Sequence, residues 1–334
     1  MRAQKVKERA ATVRTSLASV IPLKSPYLVQ VFPVYACNFK CNYCIHSIDR
    51  NKRGFVASQT LMDFELYKKC IDDLTKFPEK IKMLRFAATG EPLLHPQLPE
   101  MIDYAKERAV ADSVEIVTNG SLLTPDLSYR LISAGLDWLR VSVEGVTEER
   151  YKEVCGVAVN MSEFITNLDY FYQHRNCTKV YIKIIDIELS DSEKKHFYSL
   201  FGNICDSIAI EHLTPAVSEI DYSQLTSRDL VTTQSGNPVF KAEVCPQPFY
   251  MLQINPDGNV VPCCSMETAT IIGNYVDQSL REIWEGQAMS RFRRLLLNGQ
   301  KSRNSVCAKC ENYRYGMFEE DVLDHVAEML LKVI

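Results

Sequence analysis

The stretch YLVQVFPVYACNFKCNYC, residues 27–44, decides how this chain is read. Its first eight residues are mostly apolar and β-prone, as in a buried strand. Cys37, Cys41 and Cys44 follow at once, spaced C-x3-C-x2-C. Three thiolates on one short loop can bind three corners of a metal cluster, but they cannot supply the fourth ligand of a closed tetrahedral site. His46 stands too close to Cys44 to complete a two-arm zinc site. The loop therefore reads as a three-ligand [4Fe-4S] site with one open iron.

Outward from this loop, β-type runs alternate with helical patterns. Strands are predicted at 27–34, 82–87, 113–118, 137–143, 179–187 and 207–213. Helices are predicted near 60–76, 97–108, 124–134, 162–175 and 191–203, with Thr60 and Thr124 as N-caps. Strands separated by helices imply parallel βα units. A near-continuous apolar run such as KVYIKIIDI suits a sheet covered on both faces. Six units fall two short of a closed eight-stranded barrel, so an α/β open or partial barrel is expected over 27–213. Residues 214–244 lose periodicity and read as a connecting segment. FYMLQINPDGNVVPCC then reads as a hairpin turning at Pro256-Asp257-Gly258. Helices are expected near 279–297 and 318–333.

Composition narrows the classes. The 334 residues are 46% apolar and 24% charged, with a net charge of −4. That is globular, with no basic excess for nucleic acid and no run long enough to span a bilayer. The first residues, MRAQKVKERAATVRTSLASV, are basic, but they lack an apolar core or cleavage-like motif. Val6, Ala10, Val13, Leu17 and Val20 make a stripe, so 1–26 reads as an amphipathic surface helix rather than a transit peptide. A cytoplasmic location is expected. Twelve Cys without a secretory signal point to metal or redox sites rather than disulfides.

Cys245, Cys263, Cys307 and Cys310 form a second group, C-x17-C-x43-C-x2-C. The hairpin brings the first two together and C-x2-C adds a compact pair. Four thiolates suit a zinc ion or a fully ligated iron–sulfur cluster, and spacing alone does not choose. Cys264 is left as an extra ligand, an inert thiol or a hydrogen-atom donor. Cys70, Cys155, Cys177 and Cys205 are scattered and read as structural thiols.

ACNFKCNYC, with Tyr43 before the third cysteine, resembles the cluster loop of the radical S-adenosylmethionine (radical SAM) superfamily. That resemblance implies a partial (β/α)6 barrel. It also implies S-adenosylmethionine on the open iron, cleaved to a 5′-deoxyadenosyl radical that abstracts hydrogen. Gly90, Glu91 and Pro92, after the second predicted strand, resemble the family's contact with the methionyl ammonium. Ser142 and Glu144 in VSVEG match its polar contacts to cofactor ribose or carboxylate, although many relatives carry Asp where Glu144 stands. Asn119 lies at the same strand ends, where parallel-barrel enzymes place their sites, or serves as a turn residue. Lys183 interrupts an apolar strand and is a cavity candidate.

The spacing from Cys245 through Gly258 to Cys263, with Gly273-Asn274, Ile283-Trp284 and the late C-x2-C, resembles the SPASM/twitch extension. Without further cysteines after Cys310, the resemblance implies one auxiliary [4Fe-4S] cluster held over 245–317, with a helix at 318–334. Two clusters in all are expected, the second saturated and suited to electron transfer. The arrangement resembles a twitch dehydrogenase that oxidises an aminocyclitol alcohol.

The expected reaction is oxidation of a small polar substrate, with Glu211, His212 or Lys183 as base and a flavodoxin- or ferredoxin-type electron donor. Epimerisation with Cys264 as hydrogen donor is the rival. Peptide maturation stands third, lowered because only about 26 residues precede the first strand. A non-enzymatic zinc-stabilised binding module is the fourth reading. Arg291, Arg293 and Arg294 read as a solvated helix face, or as a contact for an anionic substrate group or an acidic electron donor.

Overall fold

The computed structural model describes residues 1–6 and 14–334. Strand β1 (Gln4–Lys5) is followed by β2 (Leu28–Val31), β3 (Ile81–Phe86), β4 (Ala111–Thr118), β5 (Trp138–Val143), β6 (Lys179–Ile185) and β7 (Ser207–Glu211). Strands β2 to β7 lie side by side in chain order, every pairing parallel, as the six predicted βα units require. Helices α1 (Phe64–Leu74), α2 (Leu98–Glu107), α3 (Pro125–Ser133), α4 (Glu148–Cys155), α5 (Met161–His174) and α6 (Asp191–Phe201) make the crossovers.

Local signals place these helices. Asp63, Thr124, Asn160 and Ser190 each accept the amide three residues on, at the starts of α1, α3, α5 and α6. Each such cap contributes about 1 kcal/mol. Asp63 replaces the expected Thr60, whose carbonyl instead accepts the Tyr35 amide from the cysteine loop. Helix α4 forms from a mostly polar stretch, EERYKEVC. Thr147 caps it, and Gly156 ends it at φ +71°.

Alternation along the strands separates two faces. Val114, Ile116, Leu139, Val141, Val180, Ile182 and Ile208 are at most 1% exposed and pack in the main core with residues of the helices. Burying each such side chain contributes roughly 1.5–3 kcal/mol. The opposite parity carries Gln30, Arg85, Glu115, Arg140, Lys183 and Glu211 on the concave side. One face of the sheet is therefore apolar and the other polar.

Both edges of the six-stranded unit are covered. Strand β1 pairs in parallel with β7. Strand β8 (Met251–Ile254) pairs in parallel with β2, and then turns through the predicted hairpin into β9 (Asn259–Val261) and β10 (Gly273–Asn274). Gly258 at φ +81° supplies the left-handed turn position. The hairpin thus extends the barrel's own sheet instead of standing apart from it. Helix α7 (Gln247–Tyr250) precedes β8, and α8 (Leu280–Glu285), α9 (Gln287–Leu297), α10 (Ser305–Lys309), α11 (Asn312–Gly316) and α12 (Ala327–Leu330) follow the hairpin.

Three expectations need correction. The helix expected over 279–297 is two helices, because Gly286 takes an extended conformation between α8 and α9. The final segment is no continuous helix. It forms short turns at 319–321 and 324–326 before α12, where Asp321 accepts its own Phe318 amide and Asp324 accepts the Glu243 amide. At the N-terminus Gln4–Lys5 is a strand and Leu17–Ser19 one 3₁₀ turn, so 1–26 is not one helix. Ala10 and Val13 of the proposed stripe lie outside the described residues. Among the described residues no helix is long and apolar enough to cross a membrane.

Candidate active site

The C-terminal ends of β2–β5 gather the first cysteine group and its neighbours. The end of α4 braces the loop of Cys37, Cys41 and Cys44: the Lys40 amide donates to the Cys155 carbonyl (3.0 Å) and the Asn42 amide to that of Val154 (2.8 Å). Cys41 is buried, and Cys37 and Cys44 are half-buried. Burial pushes the Cys37 thiol up to about 12 and raises Cys44 as well. Iron would reverse this penalty by binding the thiolate form. His46 is not free to join them: Nε2 lies 3.2 Å from the Thr89 carbonyl and Nδ1 3.2 Å from Arg53 Nη1. Among the described residues no three His, Cys, Asp or Glu side chains are placed to hold a single metal ion. The three thiols on one loop fit a cluster better than zinc.

Gly90, Glu91 and Pro92 press against that loop. A Cβ on Gly90 would lie 1.9 Å from the Val34 carbonyl oxygen, so only glycine fits. The Glu91 amide donates to the Ala36 carbonyl. The buried Glu91 carboxylate accepts the Thr118 hydroxyl (2.6 Å) and the amides of Leu93 (2.9 Å) and Asn119 (2.8 Å). Three of about four acceptor positions are thus used, leaving about one for a ligand ammonium. Asn119 is more than a turn residue: its Nδ2 donates to Asn38 Oδ1 (2.9 Å), tying the β4 exit to the cysteine loop.

Tyr43 donates its hydroxyl to Glu144 Oε2 at 2.7 Å. Burial pushes the Glu144 carboxyl up to about 7, opposed by the Tyr43 hydrogen bond and the Lys183 charge. Ser142 pairs in register with Lys183 across β5 and β6. Lys183 Nζ lies 2.5 Å from Glu211 Oε2, and the Tyr181 hydroxyl donates to Glu211 Oε1 at 2.8 Å. His212 has a different partner: its Nδ1 is 2.5 Å from Asp186 Oδ2, which also pairs with Arg228. His212, one residue past the end of β7, is thus engaged by Asp186 while Glu211 is engaged by Lys183 and Tyr181.

Sequence reasoning missed the floor of this concavity. Glu115 accepts from Arg140 Nε at 2.8 Å and from Arg85 Nη2 at 3.3 Å, while Gln30 Nε2 donates to Gln253 Oε1 at 2.9 Å. The available signal was a polar residue at alternate positions of otherwise apolar strands, as in KMLRFA, SVEIVT and DWLRVSV.

The second group closes on one cavity, lined by Cys245, Cys263, Cys307 and Cys310. Burial pushes Cys263 up to about 12 and Cys307 to about 11. Asn304 caps α10 by accepting the amides of Val306 and Cys307, which orients the latter. Four thiols around one cavity fit a fully ligated cluster. Cys264 does not line it; its thiol lies 3.6 Å from Gln247 Oε1 and feels the Arg85 guanidinium of β3.

The two groups are joined structurally. The Tyr222 hydroxyl donates to the Tyr43 carbonyl (3.0 Å), and the Thr268 amide to the Phe55 carbonyl (3.1 Å). A further cleft opens between 215–222 and the segments carrying Met266 and Cys310.

Comparison with known proteins agrees. Residues 31–193 match the radical SAM superfamily and residues 245–311 the SPASM iron–sulfur cluster-binding domain. The tungsten-containing aldehyde ferredoxin oxidoreductase cofactor-modifying protein of Pyrococcus furiosus is 35% identical over 108 residues, 32% of this chain and 28% of that one, so the chain spans less than a third of that relative's length. The S-adenosyl-L-methionine-dependent 2-deoxy-scyllo-inosamine dehydrogenase of Niallia circulans is 23% identical over 277 residues, 83% of this chain and 89% of that one. In fold, the crystal structure of BtrN in complex with AdoMet and 2-DOIA superposes with a TM-score of 0.53 at 20% identity, covering 86% of this chain and 93% of that one. With its cysteine loop at the mouth of a partial parallel barrel and four thiols behind it, the chain belongs to the radical SAM superfamily and carries a SPASM domain.

Proposed function

We propose that this enzyme oxidises an alcohol carbon of a small polar molecule, such as a sugar or aminocyclitol, using two [4Fe-4S] clusters. The observation that carries this is the cavity lined by four thiols beside the barrel mouth. A saturated cluster has no open iron for substrate and suits electron acceptance. The extended similarity to an inosamine dehydrogenase supports the same reading.

When bound, the open-iron cluster and S-adenosylmethionine supply a 5′-deoxyadenosyl radical that removes one hydrogen atom. The chain's own residues do the rest. Cys37, Cys41 and Cys44 would hold the cluster. Gly90, Glu91 and Pro92 present one remaining carboxylate acceptor to the methionyl ammonium. Tyr43, Ser142, Glu144 and Asn119 border the cofactor space at the strand ends. The Glu211 carboxylate, steadied by Lys183 and Tyr181, takes the alcohol proton. Cys245, Cys263, Cys307 and Cys310 would hold an auxiliary cluster, which would supply an acceptor for the remaining electron. One hydrogen atom, one proton and one electron leave, which completes a two-electron oxidation. An external flavodoxin- or ferredoxin-type protein supplies and collects single electrons.

Epimerisation is the second reading, favoured by one observation: the Cys264 thiol stands outside the four-thiol cavity and toward Arg85. Turnover in deuterated water with candidate polyols separates the two. Oxidation lowers product mass by two hydrogens and adds no carbon-bound deuterium. Solvent deuterium at the abstracted carbon, lost in Cys264→Ala, would overturn the preferred reaction.

A further inference from the structure

Three arginines in one turn of α9 have different fates. Arg291 and Arg294 are exposed to solvent. Arg293 turns inward, its guanidinium 4.1 Å from the Trp284 ring. Its Nε donates to the Pro248 carbonyl at 2.9 Å and its Nη1 to the Trp284 carbonyl at 3.4 Å. Its Nη2 is buried with no partner. Among the described residues no carboxylate pairs with it. Burial draws the guanidinium down to about 10, with no opposing charge.

A buried cation without a counter-charge is costly and is rarely kept without a reason. The geometry names the missing partner. Pro248, which accepts from Arg293, lines the four-thiol cavity, as do Phe292 and Leu296 of the same helix. Arg293 therefore lies one residue layer behind the cavity wall. Four thiolates give the site more negative charge than the oxidised iron–sulfur core cancels, and reduction adds one more electron.

We propose that Arg293 is the fixed counter-charge of the auxiliary cluster, raising its reduction potential so that it accepts an electron from substrate. It is a positioning residue, acting through the field at the cavity rather than by ligation. Nearby positive charge favours the more negative, reduced state, and the Pro248 backbone that Arg293 grips is itself part of the cavity wall. The inference rests on the auxiliary cluster of the preceding reading.

The test uses the full chain carrying Cys37, Cys41 and Cys44→Ala, reconstituted anaerobically so that only the auxiliary cluster remains. Its midpoint potential is measured by redox titration followed by electron paramagnetic resonance, with iron counted in each sample. Arg293→Met should shift the reduction equilibrium at least tenfold toward the oxidised state, about 59 mV for a one-electron couple. Arg293→Lys should stay within about threefold of the parent, by the charge argument. If the Met variant fails to retain iron, Arg293→Gln makes the same comparison while keeping donors for the two carbonyls. An unmoved potential in the uncharged variant with four irons present, or a Lys variant falling as far as Met, overturns the inference. A parent holding no iron removes the auxiliary cluster itself and this inference with it.

Discussion

Lys183 Nζ lies 2.5 Å from Glu211 Oε2, across the parallel pairing of β6 and β7. The two side chains stand 23% and 12% exposed, on the concave face near the strand ends. An ion pair this enclosed is costly to break from one side, because the remaining charge is left without its partner. It also aims the carboxylate, as a proton acceptor requires.

Replacing Glu211 by Gln should therefore lower product formation about 10²-fold or more, within the range for losing a general base. Formation of 5′-deoxyadenosine should continue, because cofactor cleavage does not use this group. The ratio of 5′-deoxyadenosine to product, measured by chromatography, checks it. An unchanged ratio would remove Glu211 as the base.

The two cysteine groups should be separable. The wild-type chain should hold about eight irons, by the four-iron stoichiometry of each cluster. Changing Cys37, Cys41 and Cys44 to Ala should leave about four and abolish cleavage of S-adenosylmethionine. Changing Cys307 and Cys310 to Ala should also leave about four but retain some cleavage without product. Iron and sulfide counts with the visible spectrum decide. Full iron in the triple variant would sink the assignment.

Gly90→Ala should be far worse than an ordinary surface change. The added Cβ would meet the Val34 carbonyl oxygen at 1.9 Å, and backbone cannot move away as a side chain can. The loop after β3 must then part from the cysteine loop, breaking the hydrogen bond from the Glu91 amide to the Ala36 carbonyl. A loss of about 1–3 kcal/mol in stability is expected from overpacking. Thermal melting of the cluster-free chain and iron uptake should both register it.

Stability of the cluster-free chain should carry a Glu144 signature. Burial raises this carboxyl from the ordinary 4.5 to about 7. The folded state therefore binds the proton more tightly than the unfolded state, and stability from this group is fully present below about pH 4.5. It is lost as pH rises toward 7, at about 1.4 kcal/mol per pH unit when fully expressed. Denaturant melts of wild type and Glu144→Gln should diverge in that window, the wild type losing stability relative to the variant. Parallel curves would show that the carboxyl is not protonated in the fold.

Sequence alone determined the parts of this protein set by local chemistry. The C-x3-C-x2-C loop after an apolar strand, six βα periods and the Pro-Asp-Gly hairpin are local patterns, and the strands they predict all form. What depends on contacts across the chain was decided only by tertiary structure. Packing gave Glu211 the partners Lys183 and Tyr181 and gave His212 the partner Asp186, a choice that two adjacent polar residues do not reveal. The pairing of β8 with β2 fused the hairpin to the barrel and set Gln253 beside Gln30. Cys263 lines the four-thiol cavity and Cys264, its neighbour in sequence, does not. Arg293 differs from Arg291 and Arg294 only in which side of α9 meets Trp284 and Pro248. Side-chain identity is local, but its burial and its partners are supplied by segments tens to hundreds of residues away.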